Sequence, residues 1–213
     1  MAKVTVQFTC ADCGTTSGRW LGKCPGCGAF GTLVEELHGS AAEATAARPS
    51  TPVPIAEVSA SEAERISTGV DELDRVLGGG LVPASLVLVG GEPGVGKSTL
   101  LLTALGAITR SGRRALLVTG EESAAQVALR AARLGGADRV EILAETELDT
   151  VCATLEAERP DVCVIDSVQT LHASALGSAP GSVAQVREAA GRLLRVAKAA
   201  GVATVLVGHV TKD

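Results

Sequence analysis

The 213-residue sequence has almost no aromatic side chains. It contains no tyrosine, and its only rings, Phe8, Trp20 and Phe30, all fall within the first 30 residues. From Gly31 onward, neither an adenine nor a nucleic-acid base can be stacked on an aromatic side chain. Long apolar runs are missing as well. No segment approaches the ~18 consecutive apolar residues of a membrane span, and the start MAKVTVQFTC lacks the apolar stretch of a secretory signal. No membrane partner is expected, and the default compartment is the cytoplasm. Disulfides are rare there, so the six cysteines need another account. The sequence also lacks an excess of positive charge. A net charge of −5 has the wrong sign for a surface that attracts nucleic acid everywhere, so any such contact must be local or lie beyond the end of this chain.

What is present divides the chain. A hydrophobic content of 46% with 20% charged residues is globular, and the length suits one domain of about 100–200 residues plus a small module. Residues 1–36 hold four cysteines and all the rings, and read as a separate module. Residues 37–54, LHGSAAEATAARPSTPVP, have linker composition without hydrophobic period and are expected to be loosely structured. In residues 55–213 short apolar runs alternate with helical stretches. Strands are expected at Leu86–Val89, Ala115–Thr119, Val140–Leu143, Val162–Ile165 and Val202–Val207, with helices at Ser98–Arg110, Ser123–Leu134, Glu147–Glu158 and Val183–Ala200. This alternation predicts an α/β fold with a mostly parallel sheet covered on both faces, whose ligand sits beyond the carboxyl ends of the strands. STGVDELDRVLGGG, upstream, reads as a short capped helix ended by glycines. The final GHVTKD stops just past a strand on that ligand edge, as expected for part of a longer protein.

The most specific motif is Gly91-Glu92-Pro93-Gly94-Val95-Gly96-Lys97-Ser98-Thr99, which follows the strand SLVLVG and opens a helix. Such a loop lets backbone N–H groups and the helix N-terminus cradle phosphates. Lys97 is expected to reach the β and γ phosphates of ATP, and the Ser98 hydroxyl to ligate Mg²⁺. Asp166, ending the strand VCVID, suits the second carboxylate that holds Mg²⁺. Hydrolysis also needs a residue that orients or deprotonates water. Glu121 and Glu122 follow the strand Ala115–Thr119 on the same edge, and either can activate water while the other favours the next helix N-terminus.

Cys10-x2-Cys13 and Cys24-x2-Cys27 form a strong metal signature. Four thiolates imply a closed structural Zn²⁺ site, which would supply much of the folding free energy of a module too small for an adequate core. Up to Val34 the module has three cations, Lys3, Arg19 and Lys23, against Asp12, but zinc with four thiolates is itself negative, so charge makes no strong case for DNA. Trp20 is expected to pack over the metal site, with base stacking as the alternative. Cys152 and Cys163 read as buried small hydrophobes.

Taken together, CADCGTTSGRWLGKCPGCG, RISTGVDELDRVLGGGLV, VGGEPGVGKSTLLL, TGEES, VIDSVQT, APGSVAQVREAA and VGHVTKD resemble, in order, segments of the bacterial RadA/Sms family of DNA repair and recombination ATPases. The resemblance implies a RecA-like P-loop ATPase core, related to hexameric helicases, that moves on single-stranded DNA and processes branched recombination intermediates. It further implies a homo-oligomeric ring and a recombinase partner of the RecA type. It favours Glu121 over Glu122 as the residue that activates water, and it puts His209 where the γ-phosphate is sensed. His38 and His172 gain no role. Phe30 stands where the family usually has tryptophan, and Ala84 where it has glycine. The chain stops before the family's Lys-Asn-Arg-Phe-Gly motif and Lon-protease-like domain. Two rivals remain open. A RecA-like clock or signalling ATPase shares TGVDEL and the cradle but has no need of paired cysteines, while a small-molecule phosphotransferase would need a substrate-binding arginine cluster.

Overall fold

The computed structural model describes residues 5–38, 52–57 and 64–210; most of the expected linker and the final three residues lie outside the described residues. The N-terminal module is a three-stranded antiparallel sheet, β1 (Thr5–Cys10), β2 (Thr16–Ser17) and β3 (Leu33–His38), in the order β2-β1-β3. β3 runs two residues past the expected end of the module. Among the described residues its apolar interior is small, with Cys10, Cys24 and Leu33 buried and Phe8, Cys13 and Leu21 packed against them.

The larger unit contains α1 (Asp71–Val76), β4 (Leu86–Gly91), α2 (Lys97–Arg110), β5 (Ala115–Thr119), α3 (Ala124–Leu134), β6 (Glu141–Ala144), α4 (Leu148–Glu158), β7 (Val162–Asp166), α5 (Val183–Ala200) and β8 (Ala203–His209). Every strand and helix expected from β4 onward occurs within two residues of its expected ends. The five strands form one parallel sheet in the order β4-β8-β7-β5-β6.

Successive residues of a strand point to opposite faces, and in the central strands β8, β7 and β5 both faces are covered. Leu116, Val118, Cys163, Ile165 and Leu206 face Leu148, Val151 and Leu155 of α4 and Leu193 and Val196 of α5. Ala115, Leu117, Val162, Val164, Val205 and Val207 face Leu101, Leu102, Leu105 and Ile108 of α2 and Val127 of α3. Double coverage explains why these strands read as continuous apolar runs rather than alternating ones. Cys152 and Cys163 lie in this interior as expected, and burial pushes both thiols above the ordinary value.

One local expectation changes. α1 has Val70 at its N-cap without a side-chain cap; Ser67 and Thr68 instead donate their hydroxyls to the Asp74 carboxylate, at 2.6 and 2.7 Å. Ala84, just before β4, has φ +59°, in the left-handed region that disfavours any residue with a Cβ. That conformation costs roughly 1–2 kcal/mol for an L-residue, while glycine gives back about 0.4–1 kcal/mol through a more flexible unfolded chain. Ala84→Gly is therefore expected to stabilise the fold by roughly 0.5–1 kcal/mol. The check is a higher urea midpoint at unchanged slope, and a midpoint that stays or falls would show that the turn carries no strain.

Candidate nucleotide site and metal centre

The sheet register builds the site. Gly91 of β4 pairs with His209 of β8, and Thr119 of β5 pairs with Asp166 of β7, so four adjacent strands end on one edge. The phosphate-loop motif crosses that edge from β4 into α2, with Gly96 as the left-handed N-cap residue of the helix. Lys97 is only 8% exposed, and its Nζ donates to the carbonyls of Gly91 and Glu92, both at 2.9 Å. Its ammonium thus stays at the mouth of the cradle, fully hydrogen-bonded to neutral acceptors that a phosphate oxygen can replace.

Asp166 ends β7 on the same edge, and its Oδ1 is buried without a hydrogen-bond partner among the described residues. A buried carboxylate oxygen left without a donor suits a bound cation or its water. The chemistry of this oxygen fits Mg²⁺ or its water, and Ser98, the second residue of α2, offers a hydroxyl at the end of the phosphate-loop motif.

Glu121 lies two residues beyond the tip of β5, linked by Gly120, whose N–H donates to the Asp166 carbonyl at 3.0 Å. Its Oε1 accepts from the Ser167 hydroxyl at 2.5 Å and lies 2.8 Å from His209 Nε2. His209 Nδ1 in turn lies 3.4 Å from Lys97 Nζ. An ammonium can only donate, so these partners assign the ring hydrogen to Nε2, which donates to Glu121. Burial alone would raise the Glu121 carboxyl, but the hydrogen bonds from Ser167 and His209, with the charge of Lys97, bring it below the ordinary 4.5. The carboxylate is thus ionised at neutral pH and able to accept a proton.

Glu122 is placed differently. Its side chain pairs with Arg130 of α3, and its backbone N–H and carbonyl both bond the Thr119 hydroxyl. The start of α3 is capped by Ser123 in a reciprocal box with Gln126, so neither glutamate serves as the cap. Sequence reasoning missed Arg130 and Ser167. Ser167 follows Asp166 as an ordinary turn residue would, and only the register of β5 with β7 brings it to Glu121. A cleft of about 310 Å³ beside Glu121, lined by Thr119, Glu122, Ser123, Glu145 and Thr146 among others, opens toward the end of β6.

In the N-terminal module the four cysteine Sγ atoms lie within 4.8 Å of one another, with Cys10–Cys27 at 3.7 Å and Cys13–Cys24 at 3.5 Å. Tetrahedral zinc with Zn–S bonds of about 2.3 Å requires S···S separations of about 3.8 Å, so the donor set fits. Two matching knuckles hold the ligands: Gly14 N–H donates to the Cys10 carbonyl and Gly28 N–H to that of Cys24, both at 2.9 Å, with φ +71° and +76°. Burial opposes ionisation of Cys10, yet bonds from the Thr32 hydroxyl and the backbone of Cys13 and Asp12 lower it to about 6. At Cys27 a backbone bond at Ala29 lowers the thiol, but burial and the other three cysteines push it up to about 12. Four thiolates this close require a cation. Trp20 does not cover them: it is 60% exposed, and Phe30 is 77% exposed with Lys23 Nζ 5.4 Å above its ring.

Residues 51–213 match the family described as AAA domain, and residues 8–35 match the rubredoxin metal binding domain. The chain belongs to the AAA domain family. It is also similar over its whole length to proteins named DNA repair protein RadA: 50% identical to that of Pseudomonas aeruginosa, 46% to that of Escherichia coli and 44% to that of Bacillus subtilis. In each case the match covers 100% of this chain and 48–49% of the relative. The chain thus spans about half the length of these curated relatives, and the resemblance first carried by the motifs extends over all of it. Among the described residues no helix is long and apolar enough to cross a membrane.

One zinc per chain is expected. Chelation should release it and lower the fluorescence anisotropy of Trp20, the sole tryptophan, while most of the far-UV helix signal remains. Collapse of the helix signal on chelation would overturn a metal requirement confined to the N-terminal module. Separately, Lys97→Ala should weaken triphosphate binding by on the order of 10–10²-fold, the ~1.5–3 kcal/mol of a charged hydrogen bond. Titration with ATP is the check, and parent-like affinity would mean that the cradle does not hold the phosphates.

Proposed function

We propose that this chain is the nucleotide-hydrolysing part of a DNA-dependent ATPase of recombinational repair, which uses ATP to move on single-stranded DNA and process branched recombination intermediates. The observation that carries the reading is the convergence of Lys97, Glu121, Asp166 and His209 on one sheet edge from four separate strand ends. The names of the relatives support the DNA repair setting.

In this reading the backbone of residues 91–99 holds the phosphates of ATP and Lys97 exchanges its carbonyl partners for β and γ oxygens. Asp166 and Ser98 hold Mg²⁺, which when bound offsets the negative charge of the phosphates. Glu121 orients a water and takes its proton, which its ionised carboxylate is prepared to do. His209, bonded to Glu121 and close to Lys97, responds to whether the γ-phosphate is present. β8 leads from His209 directly out of the sheet edge, so this response is passed to whatever the following chain contacts. A neighbouring subunit completes each site in a homo-oligomeric ring, a hexamer, that works in the cytoplasm beside a recombinase of the RecA type.

The glutamates separate the chemistry from its scaffold. In the intact protein Glu121→Gln should lower turnover by on the order of 10²–10⁴ while ATP still binds, a typical general-base effect. Glu122→Gln should cost at most about 1 kcal/mol of stability, the worth of a partly exposed ion pair, and keep most activity. Turnover and ATP affinity of both variants, with and without single-stranded DNA, are the measurements. The reverse pattern would reassign the base, and a rate indifferent to DNA would favour a clock or signalling ATPase.

A further inference from the structure

Glu121 has three rotatable side-chain bonds and lies beyond the end of a strand, where a glutamate ordinarily samples many rotamers. Ordering such a side chain costs conformational entropy, so something must hold it. Ser167 is fully buried, and its hydroxyl reaches Oε1 from inside the fold at 2.5 Å. Ser167 is itself fixed: its carbonyl accepts from both the N–H and the hydroxyl of Thr170, at 3.2 and 2.8 Å, and the next residue, Val168, donates its N–H to Val207 of β8 at 3.0 Å. The same turn reaches β8 again through Gln169 Nε2, which donates to the His209 carbonyl at 3.3 Å. It also presses on the base of Glu121, since a Cβ added to Gly120 would lie 2.1 Å from the Thr170 hydroxyl oxygen. Only glycine allows that approach. The turn 167–170 thus contacts both the segment that carries Glu121 and the strand end that carries His209.

Both donors, Ser167 Oγ and His209 Nε2, use the same oxygen, Oε1. Among the described residues Glu121 Oε2 has no hydrogen-bond partner. We infer that Ser167 is the positioning residue of Glu121, pinning Oε1 so that Oε2 is held toward the water to be activated; this rests on the reading of Glu121 as the activating group. A neutral hydroxyl suits the task. It fixes the carboxylate without adding a positive charge that would weaken it further as a base, and its burial leaves no solvent to compete for the bond. Holding a reacting group within a fraction of an ångström is where such a contact acts, because small misplacements cost up to about 10²-fold in rate.

The test is a cycle in the intact protein: parent, Ser167→Ala, Glu121→Gln and the double variant, each measured for turnover at saturating ATP and for ATP affinity. Ser167→Ala is expected to lower turnover by on the order of 10–10²-fold with affinity little changed, and to cause no further loss in the Glu121→Gln background, because residues acting as one unit are non-additive. Unchanged turnover in Ser167→Ala, equal losses in both backgrounds, or a matching loss of ATP affinity would each overturn the inference. The Glu121→Gln arm reads the base assignment by itself: if it keeps full turnover, the reading of the site fails, whatever Ser167 does. Should Ser167→Ala fail to fold, Ser167→Thr and Ser167→Val carry the same question. Their volumes are nearly equal, so higher turnover in the threonine variant reports the hydroxyl, and equal turnover overturns the inference.

Discussion

Parallel pairing in a single register is the constraint on which the nucleotide site depends. Because β4, β8, β7 and β5 run in the same direction, their carboxyl ends share one edge, and residues distant in sequence become neighbours there. Glu121 and His209 are separated by 88 positions yet lie within hydrogen-bond distance. A one-residue slip between β7 and β5 would turn Asp166 and its neighbours to the wrong face. The interior makes that slip costly, since alternate residues of these strands are buried against helices on both sides and neither face could turn to water.

The N-terminal module is held by a different kind of force. Cys10, Cys24 and Leu33 are its few buried apolar residues among those described, too little to offset the ordering of its chain by burial alone. The four thiols converge at distances that match a tetrahedral metal, and four negative sulfurs this close repel one another unless a cation joins them. Coordination therefore takes the place of a core. It also frees the rings: Trp20 and Phe30 stay at the surface because they are not required in the interior.

The site itself is a connected set of polar contacts. Lys97, His209, Glu121 and Ser167 form a continuous series from the phosphate cradle to the turn after β7. These groups already lie within hydrogen-bond distance of one another. Glu122 stands apart from this series, paired with Arg130 on α3, and so belongs to the scaffold.

The amino-acid sequence by itself determined what depends on local spacing. The phosphate loop, the paired cysteines, the strand-ending Asp166 and the strand and helix segments of the larger unit could all be read from it, because each is specified by residues close together in the chain. Tertiary structure decided whatever depends on which strands become neighbours. The order β4-β8-β7-β5-β6, the meeting of His209 with Glu121, the separation of Glu121 from Glu122 and the contact with Ser167 have no local signature, since each follows from strand pairing across long stretches of sequence. The same holds for the exposure of Trp20 and the left-handed backbone at Ala84, which reflect how the chain is bent by its surroundings. Hydrophobic period tells a strand that it will be buried, but the choice of partner is made only when the sheet assembles.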